Sequence, residues 1–303
     1  MSLEMIKDYR DNERYRKSFN ELAGQVLGID FERWFQLGFW NERYRCYSFV
    51  DNGEVISNVS ANIIDLMLDG NIIPAVQIGT VMTHCDYRKM GLAQKLMDEV
   101  LKDYKERCDL FFLFGNFLAE GFYRRFPFYT VNETCFYTQL SDMKMVCPDV
   151  ADHQMYGSTR KLNMSNTQDI EIIRRVISHR IPLSTSFGVD NAEGILAWHC
   201  LNVFPEDTYY IEDLDTIVIY KAEGNTLELF DIVCADKPDY MKILGAFELS
   251  GVEEIVFRFT PDRSSSFLPI KTRPYNAEDY IFFVMSDSVR LPGEFFYPDT
   301  AHA

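Results

Sequence analysis

The stretch DYRKMGLAQKLM at residues 86–97 sets two cations, Arg88 and Lys89, and a glycine, Gly91, at the start of an amphipathic run. Leu92, Leu96, Met97, Val100, Leu101 and Tyr104 recur at helical spacing, which predicts a long helix opening near Lys89. A helix opens on N–H groups without intrahelical partners and on the positive end of its macrodipole. Gly91 has no Cβ to hold an anion off the backbone, and small Ala93 keeps the first turn open. Arg88 can add a charge-assisted hydrogen bond. These residue types at this spacing suit a phosphate or pyrophosphate. Arg-x-x-Gly-x-Ala by itself also fits a capped surface helix with solvated cations.

The loop needs a strand before it and a strand after its helix. AVQIGTVMT supplies the first, and the apolar run DLFFLF (109–114), bounded by Gly115, supplies the second as a buried central strand. Upstream, NERYRKSFNELAGQVLG and FERWFQLGFW read as helices. Residues 45–84 read as three strands with turns at Asp51-Asn52-Gly53 and Asp69-Gly70-Asn71. A short helix over Ala119–Arg125 and a strand over Tyr129–Leu140 are expected to close this half. Residues 141–160 are polar and aperiodic, as in a linker. Beyond them come a helix (TQDIEIIRRVISHR), a hairpin turning at Glu223-Gly224-Asn225, a helix near DYMKILGAFELS and strands EEIVFRF and YIFFVMS. The fold class is therefore α/β with mixed sheets. The expected division is a first domain over 1–140, a linker over 141–160 and a second domain over 161–303 that repeats the first one's order of elements.

Composition narrows the partners. The formal net charge is −16, with 16 basic and 20 acidic residues in 1–140 against 14 and 26 in the remainder. Nucleic acid is a poor partner for such a field, whereas a cationic small molecule or peptide would be drawn to it. No apolar run approaches the ~18–20 residues of a membrane span, and MSLEMIKDYR lacks a signal-peptide apolar core. A soluble, cytoplasmic protein is expected. Seven scattered cysteines without C-x-x-C, and five histidines without H-E-x-x-H, imply neither a disulfide framework nor a metal site.

After the buried strand the chain reads NFLAEGFYRRFPF, with Asn116, Ala119, Phe122, Tyr123 and Phe128. Arg88, Gly91 and Ala93 followed by these five residues, in order and at suitable spacing, resemble the GNAT superfamily of acyl-CoA-dependent N-acetyltransferases. The resemblance covers residues 1–140. It implies that backbone N–H groups of Lys89, Met90, Gly91, Leu92 and Ala93 hold the pyrophosphate of acetyl-CoA, with Arg88 beside it. It implies further that the strand edge at Val81, Met82 and Thr83 pairs with the pantetheine amides. Asn116 would hydrogen-bond the pantetheine arm, and Tyr123 would face the thioester sulfur as general acid. The family usually has glycine where Pro127 stands, so the turn after Tyr123 is expected to differ. Gln77 stands where several members carry a glutamate base, and no base is assigned here. In the second half the matching junction, CADKPDYMKILG, carries Asp236, Pro238 and Asp239. These residues would repel a pyrophosphate, so a degenerate GNAT-like domain without a CoA site is expected.

The activity implied is acetyl transfer to a primary amine, either a small cationic acceptor or a peptide amine. The alternatives are a non-catalytic acyl-CoA-binding regulator and a two-domain scaffold without a CoA site. The acceptor is expected between the aromatics of residues 18–40 (Phe19, Phe31, Trp34, Phe35, Phe39, Trp40) and carboxylates of the second half. Phe295, Phe296 and Tyr297 are expected to dock the C-terminal segment, either near the active site or over the second sheet.

Overall fold

The computed structural model describes residues 3–146, 159–263 and 268–303, folded around two mixed sheets. The first sheet holds β1 (Glu4–Lys7), β2 (Tyr44–Asp51), β3 (Glu54–Leu68), β4 (Asn71–Thr83), β5 (Leu110–Gly115) and β6 (Tyr129–Val131). Its hairpins turn where the sequence places them, with Asn52 at φ 52 and Asp69 at φ 48, as tight two-residue turns demand. β4 and β5 are parallel and are joined by helix α3 (Leu92–Tyr104). Leu92, Leu96, Met97, Val100 and Tyr104 are buried against one face of the sheet, so the apolar spacing does set this helix. The other face is covered by α1 (Glu13–Leu27) and α2 (Glu32–Gln36).

The segment expected as one closing strand, Tyr129–Leu140, is two strands in different sheets. β6 lies at the edge of the first sheet, while β7 (Thr134–Gln139) crosses into the second. Residues 147–158 of the expected linker lie outside the described residues. Its beginning is helix α5 (Leu140–Val146), and its end enters β8 (Thr159–Lys161).

The second sheet runs β14 (Lys271–Pro274), β7, β13 (Glu254–Phe257), β12 (Thr226–Val233), β11 (Thr216–Glu223), β10 (Thr208–Ile211) and β8. Like β4 and β5, β12 and β13 are parallel and joined by a helix, α8 (Tyr240–Gly245). The strand expected to end the second half, β15 (Ile281–Met285), instead inserts in the first sheet between β5 and β6. Each half thus gives its late strand to the other half's sheet, β7 in one direction and β15 in the other. A cut at residue 140 or 160 does not separate the two sheets. β9 (Phe187–Asp190) adds to the far end of β3, and one core cluster runs from Phe19 and Trp34 to Ile173, Leu196 and Val233. The helices α6 (Thr167–Ile177) and α7 (Glu193–Asn202) bring the second half into that shared core. No helix of the described residues is long and apolar enough to cross a membrane.

Candidate active site

Pairing between β4 and β5 stops at Gln77↔Phe112, and beyond it the two strands part. On its other side β4 slips register against β3 between Asn58 and Ser60, with Thr80 at φ 48. This is a bulge, which bends a strand and leaves its neighbour's ladder locally broken. Buried polar groups hold it: the Asn58 Nδ2 donates to the Thr80 carbonyl (2.9 Å), and the Tyr44 and Thr80 hydroxyls lie 2.7 Å apart. The parted strands open a cleft of about 1040 Å³. Val81 and Thr83 line it along the free edge of β4, whereas the Met82 side chain points into the shared core.

At one end of the cleft lies the loop into α3. Lys89 takes φ 64 and Gly91 φ 75, so the chain makes a left-handed kink twice before the helix. The first helical bond runs from the Lys95 N–H to the Gly91 carbonyl (3.1 Å). The N–H groups ahead of it therefore face out of the helix end. Arg88, Lys89 and Ala93 line the cleft, and the Arg88 Nε donates to the Thr83 carbonyl (3.3 Å). A Cβ on Gly91 would meet nothing within 4 Å, so the glycine is required by its backbone conformation and not by crowding within the chain. Exposed Met90 and buried Leu92 are not among the residues lining the cleft. His84, Cys85 and Asp86, whose ligating atoms lie within 4.8 Å of one another, precede the kink, but the His84 Nδ1 already accepts the Asp86 N–H (3.3 Å).

Across the cleft, β5 ends at Gly115 and Asn116. The Asn116 Oδ1 accepts the Ala119 N–H (2.9 Å), which leaves its Nδ2 to donate elsewhere. Helix α4 (Glu120–Tyr123) then carries Tyr123 back over the sheet. The Tyr123 ring packs directly on Gly115: a Cβ there would sit 2.7 Å from its Cε2. Tyr123 is 6% exposed and lines the cleft, and burial pushes its pKa up to about 12. The hydroxyl is a proton donor throughout the neutral range. No residue from Arg124 to Phe128 takes a positive φ, so Pro127 fits a turn built without the conformation glycine would allow.

The remaining wall comes from both halves. Of the six helical aromatics singled out above, Phe31 and Trp34 line the cleft, while Phe19, Phe39 and Trp40 are buried in the core. Ile195 and Trp198 of α7 complete the wall. The Trp34 indole N–H donates to the Gly194 carbonyl (2.7 Å), and a Cβ on Gly194 would come within 2.8 Å of the Phe39 carbonyl. The expected carboxylates are not there: no Asp or Glu is among the described residues lining the cleft.

The C-terminal segment meets both expectations made for it. Phe296 packs in the second sheet's core and exchanges two hydrogen bonds with the Thr260 hydroxyl, while Phe295 and Tyr297 pack in a core of the first sheet. Beyond them the chain reaches the cleft. The Gln77 amide, oriented by its partners, donates to the Ala301 carbonyl (3.0 Å) and accepts the Ala303 N–H (3.0 Å). A Cβ on Gly79 would lie 2.9 Å from the Ala303 backbone. The His302 ring stacks on Phe114 (3.7 Å), and His199 donates its Nε2–H to the His302 carbonyl (2.7 Å). Burial holds His302 well below its ordinary pKa and His199 at about 4, so both imidazoles are neutral at pH 7.

The sequence reading missed Tyr44, Gly79, the α7 wall and the seat of the C-terminal segment. Only Gly115, as the end of an apolar run, left a visible signal.

A strand–loop–helix unit with a left-handed kink at the helix N-terminus, a bulged and parted strand and a buried tyrosine therefore meet at one cleft. Residues 12–131 match the family model of the acetyltransferase (GNAT) domain. No curated protein matches the sequence. Among solved structures, an Enterococcus faecalis V583 protein called a "probable N-acyltransferase" superposes with TM-score 0.59 at 18% identity, covering 94% of this chain and 72% of its own. A GCN5-related N-acetyltransferase from Kribbella flavida gives 0.56 at 14%, covering 94% and 72%. Eis1 from Mycobacterium abscessus gives 0.56 at 15%, covering 94% and 73%. These likenesses concern the fold.

Proposed function

We propose that the chain moves the acetyl group of acetyl-CoA to a primary amine by direct attack. The observation that supports this best is that one cleft is lined by the α3 loop, the free β4 edge, Asn116 and Tyr123. The N–H groups from Lys89 to Ala93, with Arg88, would hold the pyrophosphate. The edge at Val81–Thr83 would pair with the peptide-like pantetheine amides. In the reaction the amine nitrogen bonds the thioester carbonyl carbon and the C–S bond breaks. The thiolate leaves while the amine loses one proton.

The thiol pKa is ~8.5, below that of the buried Tyr123 hydroxyl, so full proton transfer from tyrosine to sulfur is uphill. The role we assign to the hydroxyl is donation of a hydrogen bond to the charge developing on sulfur, with the proton resupplied from water. No carboxylate side chain lines the cleft, and the neutral His302 is a weak acceptor. The amine binds as the free base, or its proton passes to water or to the Ala303 end of the chain, which also lines the cleft. The second half is read as a non-binding relative of the first. There the Asp239 carboxylate already accepts the Lys242 N–H (3.2 Å) at the mouth of α8, where a phosphate would have to sit.

Tyr123→Phe tests the assignment. It should leave acetyl-CoA binding intact and lower kcat by ~10²-fold in a thiol-release assay. Wild-type turnover would return Tyr123 to a packing role.

A further inference from the structure

The bulge in β4 is strained, and a buried chain of hydroxyls holds it. Thr80 takes φ 48, which a β-branched side chain rarely adopts. Such a conformation is costly and persists only where its surroundings over-determine it. Here they do. The Ser60 hydroxyl donates to the Tyr44 Oη (3.0 Å), which leaves the Tyr44 proton for the Thr80 Oγ1 at 2.7 Å. The Asn58 amide donates both to the Ser60 Oγ (2.9 Å) and to the Thr80 carbonyl (2.9 Å). Its Oδ1 accepts the Ser48 hydroxyl (2.8 Å), whose oxygen lies 2.6 Å from the Tyr9 hydroxyl. Ser48, Asn58 and Ser60 are wholly buried beside a core cluster that includes the aromatics Phe19, Phe31 and Trp40. Apolar residues would fill that layer at less risk, since a buried polar group that loses its partner is strongly destabilising.

The strain sets the phase of the strand. Ile78 packs on the α3 side of the sheet, and a Cβ on Gly79 would point at Ala303 on the other side. In a regular strand Thr80 would return to the α3 side. The bulge instead turns it toward Tyr44, so that Val81 packs on the α3 side and Met82 in the core opposite. A strand without this bulge would slip by one residue beyond Gly79. Each later side chain would turn over, and the backbone groups offered at the free edge would exchange. That edge, Val81–Thr83, is the one read above as pairing with pantetheine. Resting on that acetyl-transfer reading, we propose that Tyr44 is a positioning residue. Its hydroxyl holds Thr80 in the strained bend, and the bend sets where the acyl group stands against Tyr123. The pyrophosphate end lies on the separate loop into α3, so the hydroxyl pair governs turnover and not the hold on the nucleotide.

The test is thiol release by the full chain at saturating acetyl-CoA, with phenethylamine and spermidine as amine probes, beside an acetyl-CoA titration and a thermal melt of each variant. Tyr44→Phe should lower kcat at least about tenfold, as misplacement near a reacting group does, and leave the acetyl-CoA Kd within about twofold. Thr80→Val keeps the branched shape without the hydroxyl and should lose as much. Thr80→Ser keeps the hydroxyl and should retain most of the turnover. Tyr44→Phe and Thr80→Val together should lose no more than either alone, because the two hydroxyls act as a unit. Tyr9→Phe removes a hydroxyl from the far end of the same chain, so it should lower the melting temperature and spare kcat. Lower melting temperatures with unaltered kcat in Tyr44→Phe and Thr80→Val would leave the pair a structural role only and overturn the proposal. Equal losses in Thr80→Ser and Thr80→Val would overturn it too, as would a loss of kcat in Tyr9→Phe matching that in Tyr44→Phe. Should Tyr44→Phe fail to fold, the comparison of Thr80→Val with Thr80→Ser decides. Acetyl-CoA binding by the unaltered protein without thiol release, across these probes and a broad panel of primary amines, overturns the transfer reading and this inference with it.

Discussion

Gly115→Ala should disable Tyr123 without touching it. Gly115 ends β5, and its φ lies outside the left-handed region, so alanine suits the backbone. The new Cβ, however, would stand 2.7 Å from Cε2 and 2.8 Å from Cδ2 of Tyr123, and 3.2 Å from Cε2 of Phe283. Carbon atoms rest at about 3.5–4.0 Å, so the tyrosine ring must retreat by about 1 Å. Phe283 is fully buried and cannot yield, which leaves retreat toward the cleft. Overpacking of this kind costs about 1–3 kcal/mol of stability, and a misplacement of about 1 Å at a reacting group can cost ~10²-fold in rate. The assay is thiol release together with thermal unfolding of Gly115→Ala, Tyr123→Phe and the double variant. If Gly115 acts by aiming the hydroxyl, each single variant loses ~10²-fold in kcat and the double loses no more. The coupling is then about 2.7 kcal/mol, two tenfold factors of the barrier. A lowered melting temperature with wild-type kcat in Gly115→Ala would refute the aiming role, and additive losses would assign Gly115 a separate one.

Gly91→Val should weaken acetyl-CoA binding at least tenfold, about 1.4 kcal/mol. The control is Gly70→Val, since Gly70 sits at φ 80 in open space like Gly91 but in a distant hairpin turn; equal loss of affinity in both would refute the cradle. A titration should find one acetyl-CoA per chain, and a second site would contradict the reading of Asp236–Asp239 as repulsive. Glu133 links β6 to the C-terminal segment by accepting from the Tyr280 hydroxyl (2.6 Å) and the Tyr297 N–H (2.8 Å), and burial raises its pKa to about 7. Between the ordinary glutamate value of 4.5 and 7 the folded form holds more protons than the unfolded one, so its contribution to stability falls as pH rises, on the order of 3 kcal/mol in all. The depressed His199 and His302 act oppositely, losing stability as pH falls below 6.5. Glu133→Gln should therefore be more sensitive to acid than the unaltered protein in melts between pH 4 and 8, and parallel profiles would contradict the buried-acid account.

Much of the α3 end of the cleft was legible because it is local. The α3 stripe, the two hairpin turns, the kink around Lys89–Gly91 and the tyrosine seven residues past Asn116 are all fixed by residues close in sequence, where spacing alone states which face is apolar. The α7 wall and the exchange of strands between the sheets were not. YIFFVM is apolar on both faces, so it specifies a buried strand without naming its partners, and only packing sends it between β5 and β6 while β7 leaves for the other sheet. Helix α7 is buried at Ile195, Leu196, Ala197, His199, Cys200 and Leu201, nearly all round, so no amphipathic stripe announced the helix that carries Trp198 to the cleft. Gln77 reads as a missing base in sequence, but in the fold its amide seats Ala301 and Ala303, more than two hundred residues away. Contacts at that separation are chosen by shape and hydrogen bonding in the assembled core, and a pattern of neighbouring residues does not encode them.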